Sequence, residues 1–187
     1  MNETAAVRYR KYFDTAEIPA GESKKVAAAL GRALHNRARY ESVARLIGVP
    51  WVLLAALHER EATGNMSRHP ANGDKLDRRT VHVPKGLPKR IDPPFTYENC
   101  AEEEYAELRK PKDGIWTEEW LAWSAEHFNG MGYAMANRPS PYLVASTTLE
   151  ESGKYTSDGH FDESHLDGQV GCIALWIAMR AAGISVP

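Results

Sequence analysis

The feature that most constrains the fold is the run Pro50 to Thr80, PWVLLAALHEREATGNMSRHPANGDKLDRRT. Its first part is apolar nearly all round a helix, with Trp51, Leu53, Leu54 and Leu57. A helix without a polar face has to be packed on several sides, so a central helix is predicted over Trp51–Glu61, with Pro50 at its start. It ends in a cluster of charge, His58-Glu59-Arg60-Glu61, and Gly64 stops it. Asn65–Leu76 then reads as loop, because Pro70, Asn72, Gly73 and Asp74 are turn formers. Whatever fold the chain adopts must bury the apolar turns of this helix and deliver its charged end to one place.

The remaining elements follow from periodicity and punctuation. Residues 1–20 are polar with scattered aromatics and read as an arm or a short helix. Ser23 can cap a helix over Lys24–Arg37, with Val26, Leu30 and Leu34 at helical spacing. A second helix covers Tyr40–Ile47, with Val43, Leu46 and Ile47 apolar. Thr80-Val81-His82-Val83 is the clearest β-like run, and a small hairpin is predicted at Asp77–Val83. The proline-rich Lys85–Thr96 must be extended loop, and Glu98–Leu108 a surface helix. Thr117 caps a helix over Glu118–Phe128, Pro139–Val144 forms a short helix or turn, and Ser152–Phe161 reads as a Gly/Ser/Asp loop. A last helix is predicted over His165–Ala182, stopped by Gly183. The tryptophans at 116, 120, 123 and 176 follow helical spacing and are expected in the core. The fold class is α+β, mainly α, in one domain.

Composition excludes several function classes. With 43% apolar and 26% charged residues and a net charge of -2, the chain is expected to be globular, with no basic excess for nucleic acid. No apolar stretch approaches the roughly 18 residues of a membrane span, and the N-terminus lacks the apolar core of a signal peptide. Cys100 and Cys172 have no zinc-type spacing and are expected as free thiols. No cofactor is expected, and a monomer is.

The chemistry-bearing residues lie at the end of the central helix. His58-Glu59-Arg60-Glu61-Ala62 begins like the HExxH helix of zinc peptidases, but Ala62 stands where the second histidine must grip the metal. His69 and His82 do not restore that spacing and are expected to be exposed or hydrogen-bonded. Between the two glutamates, helical phase chooses. Leu54, Leu57 and Glu61 fall on one stripe, so Glu61 continues the buried face and Glu59 turns away. Partial burial disfavours a charged carboxylate and suits a general acid. The competing reading is a solvated residue paired with Arg60 or Arg68. Asp74, in the following loop, could orient a water or stabilise positive charge on a sugar ring, or could be an ordinary turn residue.

Four islands extend this picture: HEREATGNM with NGDKLDRRTVHVPKGLP, then FNGMGY, SPYLVAST and SGKYTSDGHFD. Together they resemble phage and bacterial peptidoglycan-degrading proteins with a lysozyme-like domain, similar in pattern to goose-type lysozymes and soluble lytic transglycosylases. The resemblance implies a lysozyme-like fold and an endolysin-type muramidase that cuts the β-1,4 bond between N-acetylmuramic acid and N-acetylglucosamine. It places Glu61 as the catalytic acid; Ala62 stands where the family has serine. It gives Asp74 the position of a second acidic residue, and Asn129 and Tyr133 the stretch that lines the sugar. Tyr142, Tyr155 and Thr80 are further candidates for the groove, which needs aromatic faces and amide or hydroxyl groups. A transglycosylase forming 1,6-anhydro ends, a chitinase or chitosanase, and a non-catalytic glycan-binding virion protein remain alternatives. The implied setting is the host cytoplasm, with action on the cell wall after release.

Overall fold

The apolar runs do become helices. The computed structural model describes the backbone of residues 1–157 and 160–187 and the side chains of 1–153 and 161–187. In chain order its helices are α1 (Glu3–Thr15), α2 (Ser23–His35), α3 (Arg37–Ile47), α4 (Trp51–Ala62), α5 (Tyr97–Glu104), α6 (Glu118–Asn129), α7 (Gly132–Met135), α8 (Pro141–Val144) and α9 (Cys172–Ala181). One antiparallel pair, β1 (Lys154–Ser157) and β2 (His160–Asp162), sets Tyr155 opposite Phe161. The fold is therefore mainly α with a small β element, as expected. Among the described residues no single helix is long and apolar enough to cross a membrane.

Contacts group the chain into two compact units, one of Met1–Leu30 with Arg109–Pro187 and one of Gly31–Leu108. In the first, α1 packs on α6 and α9, and α8 on α9. The N-terminal residues are thus a packed helix, not an arm: Tyr9 is fully buried, and the Phe13 ring stacks on Trp176 at 5.8 Å. Trp176 is core, whereas Trp116, Trp120 and Trp123 are only half-buried. In the second unit, α3 packs on both α4 and α5. Leu53, Leu54 and Leu57 of α4 are wholly buried, each contributing about 1.5–3 kcal/mol on burial. Neither cysteine forms a disulfide, and both are buried.

Four expectations fail. The hairpin at Asp77–Val83 does not form. The Thr80 N–H donates to the Leu87 carbonyl and the Gly86 N–H to the Thr80 carbonyl, closing a turn instead of a ladder. Val81 and Val83 are exposed, so their alternation has no sheet to serve. The strand pair lies instead at Lys154–Asp162, nearly all of it in the stretch Ser152–Phe161 that composition marks as loop. The last helix begins at Cys172 and not at His165: a Cβ at Gly171 would lie 2.6 Å from backbone atoms of Leu143 and Ala145, and that close approach holds the preceding segment non-helical. Leu34 and Leu46, counted as apolar-face residues, are exposed.

Candidate functional site

The second unit carries Glu61, Asp74 and Thr80. Glu61 is the penultimate residue of α4 and is half-buried. The helix closes with Thr63 in the left-handed region and the Gly64 N–H on the His58 carbonyl, a capping bond that satisfies an otherwise orphan acceptor. The loop then folds back onto the helix end. Gly73, at φ 72°, sits so close that a Cβ would fall 2.4 Å from the Glu61 carbonyl oxygen. Only glycine fits there.

Helical phase misassigned Glu59. It is 5% exposed, and Arg32 of α2 grips it through Nε (3.0 Å) and Nη2 (2.5 Å). The apolar stripe could not separate the two glutamates because α4 is buried on every side from Val52 to Arg60. Glu59 is thus an inward structural anion, and Glu61 is the more accessible of the two.

Asp74 is the keystone of the loop. Its Oδ2 accepts from the Val81 N–H (2.7 Å), the His82 N–H (3.0 Å) and Asn72 Nδ2 (3.3 Å), while Oδ1 meets His82 Nδ1 at 2.6 Å. Burial acts to raise its pKa, but these bonds outweigh it and hold the carboxyl down to about 2. The carboxylate clasps 72–82 into one piece. Thr80, a groove candidate, is buried: its hydroxyl donates to the Pro84 carbonyl (2.6 Å) and accepts from the Leu87 N–H (2.9 Å). That hydroxyl holds its own turn closed rather than lining a sugar groove.

Beneath the loop lies a pair that sequence reading left as two separate residues. His69 Nδ1 meets Glu104 Oε1 at 2.6 Å, and His69 Nε2 donates to the Arg78 carbonyl at 2.7 Å. The other Glu104 oxygen accepts the Ala71 N–H (2.9 Å), and the Tyr105 hydroxyl donates to the Pro70 carbonyl (3.1 Å). Burial acts to lower the His69 pKa, but the bonds to Glu104 and the Arg78 carbonyl outweigh it and raise it above the ordinary histidine value. Cys100 completes a buried group whose possible metal-ligand atoms lie within 4.8 Å of one another. A metal could enter only by breaking the bonds that His69 and Glu104 already make. Burial also pushes the Cys100 thiol up to about 12, away from the thiolate form that binds metals.

The first unit carries Asn129, Tyr133, Tyr142 and Tyr155. Asn129 is exposed at the end of α6, and Tyr133 is half-buried in α7. Tyr142 is 5% exposed within α8 and is a packing residue, not a groove surface. Tyr155 lies in β1, but its side chain is outside the described residues. Behind Asn129, the buried Glu126 accepts a 2.5 Å hydrogen bond from Tyr9 and lies 3.8 Å from Arg8, and burial raises its pKa.

No family model, curated protein or solved structure matches this chain.

Proposed function

We propose that the protein cleaves the glycan strands of peptidoglycan at the MurNAc-β-1,4-GlcNAc bond, with Glu61 as general acid. The observation that carries the reading is the placement of Glu61: a half-buried carboxyl at the end of a buried helix, with a loop clamped on its own backbone through Gly73. Positioning of that kind is what an acid needs to protonate a leaving oxygen. The other three carboxylates of the segment, Glu59, Asp74 and Asp77, are engaged by Arg32, by the 72–82 clasp and by Arg78.

Those commitments favour a route that uses one carboxyl group. Glu61 gives its proton to the glycosidic oxygen as the C1–O bond breaks, and positive charge develops on the muramyl ring. The muramyl 6-hydroxyl then attacks C1, and its proton passes to the Glu61 carboxylate. The acid is regenerated and a 1,6-anhydro end is formed, with no water consumed. In the hydrolytic, muramidase alternative, a water attacks C1 and Glu61 takes the proton from that water.

Mass spectrometry of muropeptides released from purified peptidoglycan tests both layers. Ends lighter by one water, about 18 Da, are expected from the wild type, and a loss of turnover of about 100-fold or more from Glu61→Gln. Reducing muramic acid ends would select the hydrolytic route. Equal release by Glu61→Gln, or none by the wild type, would overturn the assignment.

A further inference from the structure

The loop that clamps Glu61 also forms one wall of a cleft of about 560 Å³ within the second unit, lined by Arg39, Arg68, Lys75, Asp77, Phe95 and Thr96 among others. Its charges are unequal in what they are free to do. Arg39 is held bidentate by Glu98 at 2.5 and 2.8 Å, and Asp77 by Arg78 at 2.7 Å. The Arg68 side chain donates to the Gly73 carbonyl (2.7 Å), and among the described residues neither Arg68 nor Lys75 comes within ion-pair distance of a carboxylate, though Arg78 and, more weakly, Lys75 hold the Asp77 carboxyl below its ordinary range.

The backbone forces these two cations together. Arg68 and Lys75 form an isolated antiparallel bridge, flanked by the bonds His69 N–H to Asp74 carbonyl (2.7 Å) and Leu76 N–H to Ser67 carbonyl (3.2 Å). In that register the two residues are a non-hydrogen-bonded pair, with α-carbons about 4.5 Å apart and side chains on one face. Like charges directly opposite each other are destabilising. The repulsion is relieved when an anion sits across both. Arg68 is bonded to Gly73, which packs on the Glu61 backbone, so the cation pair sits on the same loop that abuts the end of α4.

Resting on the peptidoglycan reading above, we propose that the Arg68–Lys75 cleft binds a carboxylate of the acidic peptide carried by muramic acid, with Phe95 as its apolar wall. The enzyme then selects peptide-bearing strands over bare glycan or chitin.

The test compares glycan strands with intact peptides against the same strands stripped by an amidase. It uses the wild type, Lys75→Gln and Arg68→Gln/Lys75→Gln, with thermal denaturation alongside. The wild type is expected to favour peptide-bearing strands about tenfold in kcat/KM, through KM, and the double variant to bring the two substrates within about twofold of each other. Lys75→Gln is expected to weaken the preference while leaving Tm unchanged or higher, because it removes the like-charge opposition. A wild type indifferent to the peptide, or variants that slow both substrates in proportion, would overturn the proposal. Calorimetry of Glu61→Gln with a soluble muramyl peptide and with N-acetylmuramic acid alone decides the matter independently of turnover. Tighter binding of the muramyl peptide that disappears when Lys75→Gln is added supports the cleft even if no strand is cut. Absence of that difference, or binding of a glycerol-phosphate polymer in its place, overturns it.

Discussion

Replacing Asp74 by Asn separates a structural carboxylate from a catalytic one. Asparagine keeps the shape and one acceptor oxygen but loses the charge. The wild-type carboxylate takes two backbone N–H bonds, from Val81 and His82 at 2.7 and 3.0 Å, and one bond from the His82 ring. A bond to a charged group contributes about 1.5–3 kcal/mol against about 0.5–1.5 for a neutral one, so each backbone bond loses about 1 kcal/mol. The His82 ring is 78% exposed, and its share is small after solvent screening. The expected loss is about 2 kcal/mol, or roughly 4–8 °C in Tm for a chain of this size. The sign with pH follows from the depressed carboxyl. With a folded pKa of about 2 against an ordinary 3.8, its stabilisation is complete above 3.8 and disappears as pH falls toward 2. The Tm gap between wild type and Asp74→Asn should therefore close between pH 4 and pH 2. Differential scanning fluorimetry across that range, with muropeptide release at neutral pH, reads both quantities. A variant with wild-type Tm and turnover reduced by orders of magnitude would refute the clasp and make Asp74 a reacting group.

Two further substitutions probe the supports of the two units. Gly73→Ala places a methyl group against the Glu61 carbonyl at a backbone φ of 72°; a loss of about 1–3 kcal/mol in stability and a fall in turnover are expected, and unchanged Tm and activity would show that the loop does not clamp α4. Glu126→Gln tests burial in the first unit: the folded pKa of Glu126 is raised above 4.5, so its contribution is present below that pH and lost as pH rises through the raised value. The Tm of the variant relative to wild type should therefore be more favourable at pH 7 than at pH 4, and a pH-independent difference would remove burial as the governing cause.

Much of the helical framework was legible because periodicity reports burial directly. The central helix, its end near Glu61, the Thr117 cap and the loop segments 65–76 and 85–96 all follow from local pattern. The choice between Glu59 and Glu61 did not, because phase discriminates faces only when a helix has an exposed one, and the decisive partner of Glu59 is Arg32, twenty-seven positions earlier. The strand pair was hidden by its turn-rich composition, and the false hairpin was suggested by valines that remain in solvent. Propensity is a weak guide to strands because pairing and burial, not the backbone, set it.

The loop after α4 shows what local reading cannot reach. Apart from the one bridge between Arg68 and Lys75, residues 65–82 have no ladder to absorb their polar backbone groups, and those groups still need partners where they are buried. Two carboxylates supply them. Glu104, thirty-five positions from its histidine, takes the Ala71 N–H from beneath, and Asp74 takes Val81 and His82 from within. Each also binds an imidazole, so acid–histidine pairs do here what a sheet does elsewhere. The same economy accounts for the cation pair. Once the loop is fixed by Glu104 below and Gly73 against α4, its one bridge sets the exposed Arg68 opposite the exposed Lys75, a like-charge pair. Rigidity of the loop and the pairing of its two cations therefore have a single origin.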